Sequence, residues 1–181
     1  MEFEPTPIAG AYQIKLSPLE DERGTFSRLY CENEMRAIGH SKRIVQINYS
    51  INMVKGTVRG LHFQYSPDTE IKIIRCLKGK IYDVILDIRK GSSTFLKWHA
   101  IELSTEAFNM VYIPEGCAHG FQTLKGNSAL LYFHTAFYNK HNESGIRYDD
   151  PAVAIQWPIP VINVSDRDSK YPLVDSDFDG I

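Results

Sequence analysis

Residues 80–89 alternate as a strand does: Tyr82, Val84, Leu86 and Ile88 share one face, while Asp83, Ile85 and Asp87 share the other. Runs rich in β-branched and aromatic residues recur at 43–50, 71–77, 98–103, 110–113 and 129–135. Turn signals separate them, among them Asp21-Glu22-Arg23-Gly24, Lys78-Gly79, Lys90-Gly91-Ser92-Ser93, Pro114-Glu115-Gly116 and Lys125-Gly126-Asn127. Residues 32–38, stopped by Gly39, are the best short helix. From Pro158 onward prolines and acids predict an irregular segment wrapped over the strands. The expectation is a mainly β chain, a sandwich or barrel with short peripheral helices. Alternation alone does not separate a jelly roll from other β architectures.

The 181 residues fit one domain spanning 1–181, and 43% hydrophobic residues can supply its core. A net charge of −2 and the lack of a basic run argue against nucleic acid or an anionic membrane as partner. No apolar stretch is long enough to span a bilayer. The first ten residues are acidic and carry two prolines, so no signal peptide is expected there. Three widely spaced cysteines, Cys31, Cys76 and Cys117, read as thiols of a reducing compartment, and a cytoplasmic location is the expectation.

Against this background four segments stand out. They are Arg59-Gly60-Leu61-His62-Phe63-Gln64, then Pro114-Glu115-Gly116-Cys117-Ala118-His119-Gly120-Phe121, then Tyr132, then Ser165-Asp166-Arg167-Asp168. Together they supply a base, an acid, an orienting carboxylate and cations. The first two closely resemble segments of the dTDP-4-dehydrorhamnose 3,5-epimerase family. Asp83-Val84-Ile85-Leu86-Asp87-Ile88-Arg89, Ile146-Arg147-Tyr148-Asp149-Asp150-Pro151 and Ile155-Gln156-Trp157-Pro158 resemble it too, in the same order. The resemblance runs from about Gly10 to Pro172. It implies a cupin-type jelly-roll barrel and a homodimer that exchanges N-terminal strands. It further implies a substrate that is a nucleotide-linked 4-keto-6-deoxyhexose, and no metal or organic cofactor.

Inverting a carbon beside a ketone requires a base on one face of the sugar, an acid on the other, and a group that holds the enolate oxygen. His62 suits the base, since imidazole titrates near neutrality, and by resemblance Asp168 orients it. Tyr132 suits the acid, with Tyr138 the alternative. A hydrogen-bonded structural histidine and a core aromatic are the plain alternatives for His62 and Tyr132. Lys72, sharing a face with Ile74 and Cys76, suits the enolate oxygen, and Asp83 on the next strand is a possible partner for it. By resemblance Arg23, Arg59, Arg167, His119 and Glu143 bind substrate, and Gln46 and Asn48 contact the nucleotide sugar or diphosphate. Gln64 stands where cupins often place the second histidine of a metal site, which leaves such a site weakly supported. His40, His99, His134 and His141 read as ordinary surface or structural residues.

The chain departs from the family pattern at Arg28, where the family commonly has glutamate, at Ile47, where aspartate is common, and at Arg167, where lysine is usual. An arginine suits the acceptor edge of cytosine, so a CDP-sugar stands beside a dTDP-sugar as expected substrate, with surface drift the competing explanation. A 3,4-ketoisomerase, a non-catalytic nucleotide-sugar binder and, more weakly, a metal-dependent cupin oxygenase are the other readings.

Overall fold

The computed structural model describes residues 1–181. The N-terminal part holds strands β1 (Glu2–Pro5), β2 (Tyr12–Lys15), β3 (Leu19–Asp21) and β4 (Gly24–Phe26), followed by helix α1 (Glu32–Met35). Eight longer strands follow: β5 (Gln46–Asn52), β6 (Val58–Gln64), β7 (Lys72–Lys78), β8 (Lys80–Asp87), β9 (Trp98–Ser104), β10 (Asn109–Ile113), β11 (Cys117–Thr123) and β12 (Ser128–His134). A short β13 (Glu143–Gly145) completes the set.

Two large antiparallel sheets result, beside the two-stranded β3–β4 hairpin. One has the order β1-β2-β10-β7-β12-β5, the other β13-β6-β11-β8-β9. Without the additions at their edges they read β10-β7-β12-β5 and β6-β11-β8-β9, the interleaved order of a double-sheet jelly roll. The expected barrel is thus two facing sheets with no ladder joining them.

Three apolar clusters explain why so many strands are apolar on both faces. Ile74, Cys76, Ile81, Ile85, Leu103, Val111, Phe121 and Leu130 belong to the cluster between the sheets. Val84, Leu86 and Ile88 belong to a second, on the outer side of the β8 sheet, with Trp157, Val174, Phe178 and Ile181 of the C-terminal segment packed against it. Ile14, Met35, Ile73, Met110 and Phe133 form part of a third, which Leu29, Tyr30 and Ile38 cover. Fully burying one such aliphatic side chain contributes roughly 1.5–3 kcal/mol. The face 82–84–86–88 is therefore the one under the C-terminal wrap, while Asp83 and Ile85 point between the sheets.

The expected strand at 43–50 begins and ends later, as β5. The segments of β6 and β11 were legible as motifs but not as strands. The expected helix is one α turn continued by a 3₁₀ turn, Arg36–Ile38, and stopped by Gly39 at φ 76°. Acidic Glu32 and Glu34 occupy its first turn, where the helix dipole favours them. β1 and β2 pair with each other and β2 with β10, inside the chain's own sheet. The β3–β4 hairpin pairs only with itself. No helix is long and apolar enough to cross a membrane.

Candidate active site

A cavity of about 370 Å³ opens between the two sheets. From the six-stranded sheet it is lined by Asn48, Ser50, Lys72, Tyr132 and His134, and from the five-stranded sheet by Arg59, His62, His119, Phe121 and Glu143. Glu70, Tyr138 and Arg167 close its rim. Strand register makes the grouping. His119 lies opposite His62 across β11 and β6, and His134 lies opposite Lys72 across β12 and β7. Tyr132 and His134, two residues apart, share a face with their rings stacked at 6.1 Å.

Asp168 arrives from the far end of the chain. Ile162 donates its N–H to the Gly56 carbonyl and Val58 donates to Asn163, pinning the C-terminal segment along the start of β6. Asp168, in a 3₁₀ turn (Asp168–Lys170), then accepts the Gly60 N–H at 2.9 Å and contacts His62 Nε2 at 2.9 Å. Burial works to raise the Asp168 carboxyl, but the His62 and Gly60 hydrogen bonds outweigh it and hold it at about 2. Nε2 of His62 faces Asp168 and also lies 3.2 Å from Arg167 Nη2, while Nδ1 has no protein partner. Tyr171 packs edge-on against the imidazole.

Tyr132 hydrogen-bonds to Ser50 Oγ at 3.0 Å. Burial pushes its phenol up to about 12, against the opposing Ser50 bond. Asp83, fully buried, bonds His119 Nε2 at 2.9 Å through Oδ2, while Oδ1 has no partner. Burial raises this carboxyl and the nearby His119 resists the rise. The expected Lys72–Asp83 pair is thus replaced: Asp83 serves His119, and Lys72 sits 3.1 Å from Glu70 Oε1 and donates to the His62 carbonyl at 3.1 Å. Two carboxylates, one on β8 and one in the loop before β7, divide the histidine and the lysine between them.

Around the rim, Arg167 donates to Glu143 at 2.6 Å and to Asp168 at 3.4 Å, and Tyr138 donates its O–H to Glu143 at 2.9 Å. Arg59 donates through Nε to Asn52 at 2.6 Å. Gln46 is one bond removed from the cavity, donating to Asn48 Oδ1 at 3.2 Å. Gln64 is spent on the backbone of Asp68, Phe137 and Asn139, and no group of three or more His, Cys, Asp or Glu side chains is arranged to hold a metal ion. Arg23 and Arg28 are not brought to this cavity by their own chain. Arg23 pairs with Asp21 on the exposed hairpin and Arg28 with Glu34. Ile47 points outward from β5 and is exposed.

Sequence reading passed over Glu70 and assigned His134 no role, yet both line the cavity. Their signal was the two-residue spacing: Tyr132 and His134 must share a face of one strand, and Glu70 precedes Lys72 by the same step.

A jelly roll holding a histidine–aspartate pair opposite a tyrosine, with cations at the rim, has the parts for acid–base chemistry on an anionic substrate. The family model for dTDP-4-dehydrorhamnose 3,5-epimerase matches residues 5–176. A dTDP-4-dehydrorhamnose 3,5-epimerase of Sinorhizobium fredii is 39% identical over 95% of this chain and 89% of its own length. Among solved structures, the Legionella pneumophila epimerase in complex with dTDP-4-keto-L-rhamnose superposes with a TM-score of 0.91 at 36% identity, covering 95% of this chain and 92% of that one. A 3'-monoepimerase from Streptomyces bikiniensis in complex with dTDP-quinovose has a TM-score of 0.87 at 29% identity, covering 93% and 86%. The chain belongs to the dTDP-4-dehydrorhamnose 3,5-epimerase family and is an enzyme of the isomerase class.

Proposed function

We propose that this single domain inverts carbon 3, carbon 5 or both of a nucleotide-linked 4-keto-6-deoxyhexose, with His62 as base and Tyr132 as acid, in the making of a deoxysugar. One observation carries the reading: these two side chains enter the same cavity from facing sheets. Inversion demands removal and return of a proton on opposite faces of the ring, and facing sheets supply that arrangement.

In this reading Nδ1 of His62 takes the proton from the carbon beside the ketone. The C–H electron pair becomes the enolate, whose oxygen meets an N–H of Lys72, with His119 beside it. Asp168, ionised at neutral pH, balances the imidazolium charge. The Tyr132 phenol, protonated at neutral pH, delivers its proton to the other face. Solvent then reprotonates the phenolate and removes the proton from His62. Arg59 and Arg167 bind the diphosphate, as arginine forks suit phosphate oxygens, with Gln46, Asn48, Tyr138 and Glu143 contacting the remainder.

The working unit in this reading is a homodimer with exchanged N-terminal segments. Ile47, Tyr49 and Ile51 form an exposed apolar stripe on β5, continued by Met53 just beyond it, and this edge strand also lines the cavity. Leu19 and Phe26 are 71% and 72% exposed on a hairpin whose residues 19–26 are all exposed. A second copy covering both would carry Arg23 and Arg28 toward its partner's cavity. We assign the enzyme to the cytoplasm, because its three cysteines are unpaired thiols.

The test is incubation in deuterated water with dTDP- and CDP-4-keto-6-deoxyglucose separately, following carbons 3 and 5 by NMR. Deuterium at both carbons marks a double epimerase, at one a monoepimerase, and the faster nucleotide is the substrate. No exchange with either overturns the assignment to these substrates.

A further inference from the structure

One hydrogen-bonded chain in the cavity wall has a polarity that a backbone group dictates. The Tyr138 N–H can only donate, and it donates to Gln46 Oε1 at 3.1 Å. The other end of that amide is therefore Nε2, which donates to Asn48 Oδ1 at 3.2 Å. Asn48 in turn presents Nδ2, which donates to His134 Nε2 at 3.3 Å. His134 Nε2 must accept, so its proton sits on Nδ1, which donates to Glu70 Oε2 at 2.6 Å. Glu70 has its second oxygen 3.1 Å from Lys72 Nζ.

The side chains of Glu70 and Lys72 are each 9% exposed and that of His134 is 11% exposed. Little water competes with this arrangement, so bonds among the three set their geometry. An ammonium has three N–H donors. The His62 carbonyl takes one, the Glu70 carboxylate faces the ammonium at 3.1 Å as an ion pair, and Lys72 still lines the cavity, where a remaining N–H can meet what fills it. Burial opposes ionisation of Glu70, but the His134 bond and the Lys72 charge prevail and keep it a carboxylate. A free carboxylate could rotate and draw Lys72 with it. The His134 Nδ1–H on Oε2 prevents that rotation.

We propose that His134, through Glu70, is a positioning residue for Lys72: it holds the ammonium so that an N–H meets the oxyanion formed in the cavity. This rests on the 4-keto-sugar reading given above. His134 makes no hydrogen bond to the base or the acid; its one contact with the acid is the ring stacking on Tyr132, and its Nδ1 hydrogen bond leads to Lys72 through Glu70. The effect of this positioning belongs to kcat, because the charge on the oxygen develops only as the proton leaves.

Two measurements test the proposal. In ¹⁵N-labelled wild-type enzyme, NMR of the His134 ring is expected to show a protonated Nδ1 and a bare Nε2. The opposite tautomer would overturn the chain of donors. Kinetics of His134→Leu, His134→Asn, Glu70→Ala and the His134→Leu/Glu70→Ala pair form the second. His134→Leu is expected to lower kcat about 10- to 100-fold, less than removal of an oxyanion donor itself, with KM moving less than about threefold. Asparagine keeps a donor near the Nδ1 position and should restore most of the loss. The double variant should be no worse than Glu70→Ala, since both act through one ammonium. Unchanged kcat in His134→Leu, no rescue by asparagine, or additive losses would overturn the inference while leaving the epimerase reading intact. Absence of wild-type exchange would overturn both.

Discussion

His62 Nε2 and Asp168 Oδ1 stand 2.9 Å apart although 106 positions separate the two residues in the chain. The contact sets the imidazole's orientation and leaves Nδ1 for chemistry. Asp168→Asn keeps the shape but cannot balance an imidazolium. Turnover and deuterium incorporation should both fall about 10²–10⁴-fold, the range expected when acid–base assistance is lost. Stopped-time NMR of the sugar protons measures both.

Tyr132 is expected to matter for inversion and not for proton removal. With Tyr132→Phe, His62 can still remove a proton and return deuterium to the same face. Epimerised product should drop about 10²–10⁴-fold while exchange with retained configuration persists. Equal loss of exchange and inversion would remove Tyr132 from the role of acid.

Acid stability should carry the mark of Asp168. Its folded value of about 2 lies below the ordinary 3.8, so the folded state binds fewer protons than the unfolded one. The contribution is fully present above about pH 4 and is lost as pH falls toward 2, amounting to about 2 kcal/mol for this 2% exposed group. Denaturant melts of wild type and Asp168→Asn at pH 6 and pH 2.5 should show the difference between them shrinking at the lower pH.

Gly60 couples backbone packing to the site. At φ 114° an added Cβ would lie 2.6 Å from Gly120 Cα and from the His119 carbonyl oxygen. Neither backbone atom can yield cheaply, so Gly60→Ala should destabilise by about 1–3 kcal/mol. Gly60 also donates its N–H to Asp168, so thermal melts and exchange rates should fall together.

The exposed apolar residues predict assembly. Phe26→Asp and Ile51→Asp should shift the enzyme toward monomer in sedimentation velocity and raise KM, through loss of Arg23 and Arg28 from the partner's cavity. A wild-type monomer with full activity would refute the dimeric site.

The alternation in 80–89 forecast a strand, and its two apolar faces are explained by a core on one side and the C-terminal wrap on the other. The motif around His62 pointed to residues that line the cavity. Local reading failed where partners are chosen across strands. Asp83 was paired with the lysine on the neighbouring strand, because sequence shows which residues share a face but not which side chain across the sheet reaches them. His134 looked ordinary because a histidine's role depends on what meets each ring nitrogen.

What the sequence determined by itself is therefore the class of the chain: many short strands separated by turns, carrying motifs that resemble one family. These are properties of neighbours along the backbone, where the two-residue period and turn chemistry act directly. The tertiary structure alone decided the pairings His119–Asp83 and His134–Glu70–Lys72, and it supplied the geometry of His62–Asp168, a pair expected from the resemblance. Each brings together residues from different strands or loops, and strand register and the packing of the chain's far end set their distances, neither of which is a local property of the residues involved.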